Sequence, residues 1–163
     1  MPSLTDLAAP FAGWSALYAD SVLVSTTVTS VHILALLVAG GLAIAADRMT
    51  LRATTPDMPR VAEEIRAIHR PVLVALAVLF VSGAALAAAD LETFLSSPVF
   101  WGKLVLVALL LANGAALARQ ESAIRAAPDA SERRWGRMRT HAWASLALWS
   151  VITVVGTVLV AAA

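Results

Sequence analysis

The chain has 163 residues, of which 60 % are hydrophobic, and its mean hydropathy is +0.80. This composition excludes an ordinary soluble domain and indicates a single-domain membrane protein. The net charge of +1 identifies no partner, and the absence of cysteine excludes disulfides and thiolate metal sites. No basic group precedes the first apolar stretch, so we expect no cleaved secretory signal.

The chain begins with a mixed segment, residues 2–20, whose apolar side chains recur at helical spacing and predict a short helix at the membrane surface. The next stretch has 25 residues without a charge, more than the roughly 20 that cross a bilayer. Four apolar helices are predicted, at about 22–46, 61–89, 99–118 and 141–160. Together they predict an all-α, four-helix, up-down membrane bundle that forms one domain over 1–163.

The basic residues predict the orientation of this bundle. Eleven of the twelve are arginines that follow the first or the third helix, and only Lys103 lies elsewhere. Because positively charged loops stay in the cytoplasm, we expect both arginine-rich connections to lie there. Both termini are then on the outer, periplasmic side of a bacterial inner membrane. The arginines indicate contact with lipid head groups rather than with nucleic acid.

The first spanning helix carries an ionisable residue, His32, in its interior, where such residues are usually functional. Polar and small side chains share one stripe of this helix: Ser25, Thr29, His32, Leu36, Ala39, Gly40 and Ala43. A stripe of this kind faces protein rather than lipid.

An outer polar pocket is predicted around His32 and Lys103. At 1.5 Å per residue, these two side chains lie about 21 and 22 Å from the inner ends of their spans. With Thr29 and Ser25, and with Trp101 nearby, they could bind a quinone head group, the edge of a second haem or a metal ion. The alternatives are that Lys103 extends to the outer surface and that His32 bonds a carbonyl of another helix.

An inner pair of histidines predicts a cofactor site. His69 and His141 both lie within about 5 Å of the inner edge, on helices that are diagonal in an up-down bundle. Two neutral imidazoles at one depth can clamp haem b as axial ligands. The alternative is that both are ordinary solvated histidines at the interface. Two histidines alone are a poor ligand set for zinc or copper.

Neighbouring residues complete the predicted haem site. Asn113 and Gly40 lie about 8 and 9 Å from the inner edge, and small residues at that height would leave room for the macrocycle. Arg66 and Arg137 could pair with the haem propionates, since guanidinium matches carboxylate geometry. The apolar part of the second helix runs from Pro71 to Ala89, and neither it nor any other apolar span carries Asp or Glu. We therefore expect no carboxylate proton relay.

The runs SVLVSTTVTSVHILALLVAGGLAIAADRMTLR and SPVFWGKLVLVALLLANG resemble an uncharacterised bacterial four-helix integral membrane family. Its members have a mid-helix histidine, then a glycine, then an Asp-Arg exit. More loosely, the histidine of helix 1 and the aromatic-x-Lys-Leu start of helix 3 are similar to copper-resistance D and HemJ-type membrane proteins. The resemblance implies a haem- or metal-associated redox role for His32 and Lys103.

Three functions remain open from the sequence. The first is a haem b-binding, cytochrome b-like electron-transfer protein, with a quinone or a redox protein as its partner. The second is a cofactor-free integral subunit of a larger complex or of a homo-oligomer. The third is a copper-handling membrane protein.

Overall fold

The computed structural model describes residues 4–126 and 131–162, which are helical apart from short turns and contain no strand. The all-α prediction is therefore confirmed. The elements are α1 (Leu4–Ala8), a 3-10 turn (Ala9–Phe11), α2 (Ala12–Asp20), α3 (Val22–Arg52), a 3-10 turn (Thr55–Asp57), α4 (Met58–Ala89), α5 (Leu91–Ser96), α6 (Pro98–Ala126) and α7 (Ser131–Ala162).

Four of these helices, α3, α4, α6 and α7, are long and apolar enough to cross a membrane. Large hydrophobic side chains stand exposed along them, among them Leu37, Phe80 and Val105. In water such a surface would be unstable, whereas in a bilayer it is the surface that meets the acyl chains. The chain is therefore a multi-pass membrane bundle, as predicted.

Three of the described helices, α3, α5 and α6, start at a residue whose side chain caps them. Ser21, Asp90 and Ser97 each accept a hydrogen bond from the backbone N–H three residues further on, at 3.4 Å. These residues precede α3, α5 and α6 respectively, and each satisfies one N–H that has no partner inside its helix.

The four spanning helices form two pairs. α3 packs along α4, α6 packs along α7, and α3 also packs against α7, whereas α4 and α6 touch much less. As predicted, the second and fourth spanning helices, α4 and α7, are therefore diagonal. We call the end with the α3–α4 and α6–α7 connections the arginine-rich end, and the other the opposite end.

The helices at the arginine-rich end are longer than predicted. α3 continues to Arg52, and residues 119–126 and 131–140 belong to α6 and α7, although the sequence pattern suggested connecting segments there. Residues 127–130 of that stretch lie outside the described part. The added turns are amphipathic and bury an apolar cluster of their own: Met58, Val61, Ile65, Ile124, Trp135 and Met138.

A second apolar cluster fills the middle of the bundle, formed by Ala39, Ala75, Leu110, Trp149 and Ile152. A Cβ atom at Gly40 would lie 3.4 Å from the Trp149 ring. The space above Gly40, which was expected to admit a macrocycle, is thus occupied by Trp149.

The N-terminal helix α2 is bound to the opposite end of the bundle. The Trp14 indole donates to the carbonyl of Ala85 at 2.8 Å, and the Ser15 hydroxyl donates to that of Ala89 at 2.7 Å. The segment predicted over 2–20 is thus helical over its described part, from Leu4, and its α2 portion packs on α3 and α4.

Candidate functional site

A cavity of about 370 Å³ lies between α4 and α6, nearer the arginine-rich end. Most of its wall is aliphatic, and its polar lining residues are Asp47, Thr50, His69 and Ser145. Leu73 on α4 and Leu111 on α6 line it and are also exposed on the outside of the bundle. Because α4 and α6 meet only loosely, this side of the cavity faces lipid. A ligand of this size range could enter sideways from the membrane.

One wall of the cavity carries a histidine held by a buried carboxylate. His69 Nδ1 lies 3.3 Å from Oε2 of Glu121, which is only 1 % exposed. Oε1 of Glu121 pairs with Nε of Arg125 at 2.7 Å, so the buried charge is compensated as it must be in an apolar surrounding. A carboxylate only accepts hydrogen bonds, so His69 donates through Nδ1–H. Its Nε2 lone pair is left for a ligand.

The neighbouring wall carries a second buried carboxyl group. Asp47, on α3, is 3 % exposed and lies within hydrogen-bonding reach of Ser145 on α7. Its Oδ2 atom has no hydrogen-bond partner among the described residues. Within 4–126 and 131–162, no lysine, arginine or histidine forms an ion pair with Asp47. Such an oxygen beside a cavity is an acceptor for a ligand that carries a donor group.

His141 is held by Asn113 rather than by the cavity. The Asn113 amide donates to the backbone carbonyl of His141 at 2.9 Å, and its Oδ1 lies 2.7 Å from His141 Nδ1. The first bond fixes which end of the amide meets the ring, so His141 also donates through Nδ1–H and has a free Nε2 lone pair. His69 lines the cavity, but His141 does not.

His32 binds across to α4 near the opposite end. Its Nδ1 lies 3.0 Å from the hydroxyl of Ser82, and that hydroxyl donates its own proton to the carbonyl of Val78 at 2.7 Å. His32 is therefore the donor in this pair. A Cβ atom at Gly83 would lie 3.0 Å from His32 Cε1. The absence of a side chain at Gly83 is what lets the imidazole lie against α4.

The structure brings together only part of the predicted outer pocket. Lys103 lies within electrostatic range of His32, and its ammonium is 3.4 Å from the position of a Cβ at Gly156. Thr29 instead bonds the Tyr18 hydroxyl at 3.1 Å, and Ser25 bonds carbonyls of its own helix turn. The Trp101 indole is half exposed and donates to the carbonyl of Leu95.

The predicted propionate partners lie on the surface. Arg66 is exposed and pairs with Glu63 at 3.6 Å, and Arg137 is exposed as well. Across the described ranges, no three His, Asp or Glu side chains are grouped so that they could hold a metal ion. Clamping of a haem by His69 and His141 remains a prediction.

The two buried carboxyl groups were not predicted, because both lie beyond the uncharged spans. A signal was present nevertheless. The small-residue stripe of α3 continues from Ala43 in steps of four and three to Asp47 and Thr50. The interior face of α6 likewise continues from Leu117 by four residues to Glu121. Extending each face by about one turn would have placed both groups inside the bundle.

No protein-family model, curated protein or solved structure matches this chain. The candidate site therefore rests on its own geometry.

Proposed function

We propose that this chain is a membrane-embedded component of electron transfer that binds the head group of a lipid-soluble quinone in the cavity between α4 and α6. The observation that supports the proposal most is a lipid-side apolar cavity with two hydrogen-bonding groups on different helices, His69 and Asp47. A quinone has a flat ring with oxygens on opposite sides and an apolar tail. The ring would lie between the polar groups, and the tail would leave past Leu73 and Leu111 into the lipid.

The chemistry of the two groups suits the reduced form, the quinol. His69 offers the Nε2 lone pair and Asp47 offers Oδ2, and each can accept a bond from one ring hydroxyl. Because Glu121 holds the His69 ring by Nδ1, its orientation is set before a ligand arrives, which lowers the entropic cost of binding. The same imidazole can take the proton that a ring hydroxyl releases when a redox partner protein withdraws electrons from the quinol.

We place the protein in a bacterial inner membrane, with the arginine-rich end in the cytoplasm and both termini on the periplasmic side. The support is the eleven arginines at one end. The quinone site would then lie in the cytoplasmic half of the bilayer. A reporter fused to the C-terminus that is active only in the cytoplasm would contradict this orientation.

Binding can be tested with a benzoquinone that has a short isoprenoid tail, titrated into the protein in nanodiscs. Gly114 lines the cavity, and a Cβ there would meet nothing within 4 Å, so Gly114→Leu introduces an apolar side chain at the cavity wall without a clash at Cβ. We expect this variant to lose affinity by about tenfold or more, roughly 1.4 kcal/mol.

Gly102→Leu is the matched control, because Gly102 lies on the same helix, has the same free space and does not line the cavity. Its affinity should remain within about twofold of the wild type, roughly 0.4 kcal/mol. Saturable binding that survives in Gly114→Leu would place the ligand elsewhere, and no saturable binding in the wild type would refute the proposal.

Haem b ligated by His69 and His141 is the second candidate. It is supported by the contacts that Nδ1 of each ring makes, with Glu121 at 3.3 Å for His69 and with Asn113 at 2.7 Å for His141. These contacts leave Nε2 of each ring as the ligand atom, the arrangement usual for metal-ligating histidines. When bound, haem b would supply one-electron transfer. The protein, expressed with ample haem, should then give a low-spin spectrum that becomes high-spin in either single His→Ala variant. The absence of α and β bands after reduction would exclude this candidate and leave the quinone proposal untouched.

A further inference from the structure

We propose that Asp47 exchanges one proton with the ligand in the cavity, so that the preference of the site for quinol over quinone depends on pH. This inference rests on the proposed quinone site and names the group that makes it sensitive to the redox state of its ligand.

Three features of Asp47 carry the inference. The carboxyl group lies on the cavity wall, it is 3 % exposed, and its Oδ2 has no partner among the described residues. An ionised carboxylate in an apolar surrounding is costly unless a donor or a cation meets it. The hydroxyl of Ser145 can serve one oxygen. The other oxygen is left for a group supplied by the ligand.

The surrounding charges do not neutralise Asp47. Thr50 on the same helix gives its hydroxyl proton to the carbonyl of Ala46. From α4 the titratable group that lines the cavity is His69. None of the described α6 residues that line the cavity is titratable. Glu121, which contacts His69, is already compensated by Arg125. On α7, Ser145 is neutral, and Arg139 donates to the carbonyl of Leu51.

The two redox states of the ligand need different forms of this carboxyl group. A quinol hydroxyl donates, so it pairs with an ionised Asp47, which only accepts. A quinone carbonyl only accepts, so it pairs with a protonated Asp47, which donates. Exchange of bound quinol for quinone therefore takes up one proton at Asp47. By linkage, raising the pH must favour quinol binding relative to quinone binding.

The test measures the dissociation constants of the short-tailed quinone and its quinol at several pH values between about 6 and 8. In the wild type, the dissociation constant of the quinone divided by that of the quinol should rise with pH. For one proton, this ratio rises by at most about tenfold per pH unit. In Asp47→Asn, the part of the pH dependence of this ratio that is due to the Asp47 proton should disappear, although His69 is retained.

Asp57→Asn is the control, since Asp57 is exposed near the same end and does not line the cavity. Its pH dependence should match that of the wild type. A ratio that is independent of pH in the wild type, or equally dependent in Asp47→Asn, would overturn the role of Asp47 while leaving quinone binding intact. If neither form binds and an amphipathic amine binds instead, both proposals fail.

An infrared difference spectrum keeps the inference testable if Asp47→Asn does not fold. Replacing quinol by quinone in the wild type should produce the C=O stretch of a newly protonated carboxylic acid. Asp47→Glu, which keeps the carboxyl group on a longer arm, should shift that band. A wild-type spectrum without such a band would contradict the proton exchange.

Discussion

Removing Arg125 should destabilise the protein more than removing the charge of Glu121, although the two side chains form one ion pair. Glu121 has a side chain that is 2 % exposed, whereas Arg125 is 28 % exposed and also lies 3.9 Å from a carboxylate oxygen of Glu63. In Glu121→Gln, Arg125 can turn towards water and Glu63. In Arg125→Met, the carboxylate of Glu121 stays buried, and among the described residues His69 is its remaining ion-pair partner.

The magnitudes follow from this difference in burial. Breaking a buried pair so that a charge is left uncompensated costs about 3–5 kcal/mol. We expect Arg125→Met to lower the free energy of unfolding by about 3 kcal/mol. Losing a hydrogen bond while both groups keep other partners costs about 1 kcal/mol, which is the value expected for Glu121→Gln. The double variant has no buried charge and should be more stable than Arg125→Met alone.

The assay is reversible unfolding in mixed detergent micelles, followed by tryptophan fluorescence. Trp135 is 2 % exposed and packs in the same apolar cluster as Ile124, three residues after Glu121, so it reports on this end of the bundle. The reasoning from burial would be refuted if the two single variants lost the same free energy of unfolding. It would also be refuted if the double variant lost the sum of the two single losses.

Two further predictions concern local contacts. Gly41→Ala should stabilise the protein by up to about 1 kcal/mol, because alanine has the higher helix propensity. Gly83→Ala should stabilise it by about 0.6 kcal/mol less than that, because the new Cβ weakens the hydrogen bond of His32. Equal stabilisation by the two substitutions would contradict the contact at Gly83. Hydrogen bonds from the Thr54 hydroxyl, and then from its backbone N–H, lower the pKa of Asp57 below its usual 3.8. These bonds therefore stabilise the folded protein above about pH 4, and their contribution is lost as the pH falls through the lowered pKa. Thr54→Ala should return the pKa of Asp57 towards its usual value in an NMR titration, and an unchanged titration would show that the hydroxyl is not the cause.

The sequence was sufficient for the architecture, because the signals for it are local. Uncharged stretches of the right length predict spanning helices, and short connections predict antiparallel neighbours, so the diagonal relation of α4 and α7 could be predicted from chain order alone. The stripe through His32 also predicted correctly which side of α3 meets protein.

Partner choice among polar side chains could not be predicted in this way. His69 and His141 do lie near one end, but the side chains that contact their Nδ1 atoms, Glu121 and Asn113, are both on α6. Depth estimates give a height along the bundle and leave the rotation of each helix about its axis undetermined. That rotation is set by packing, and it directs His69 to the cavity and His141 to α6.

The apolar middle of the bundle divides the polar residues into two groups that act separately. Between His32 and the cavity lies the cluster with Ala39, Leu110 and Trp149, where the indole closes over Gly40. A proton or a polar head group crossing this layer would lose its hydrogen bonds without replacement, at a cost of several kcal/mol. In the proposed function, a ligand would therefore reach the cavity from the lipid, between α4 and α6, and its protons would exchange with the arginine-rich end. Substitution of His32 should accordingly alter packing at the opposite end and leave binding in the cavity unchanged.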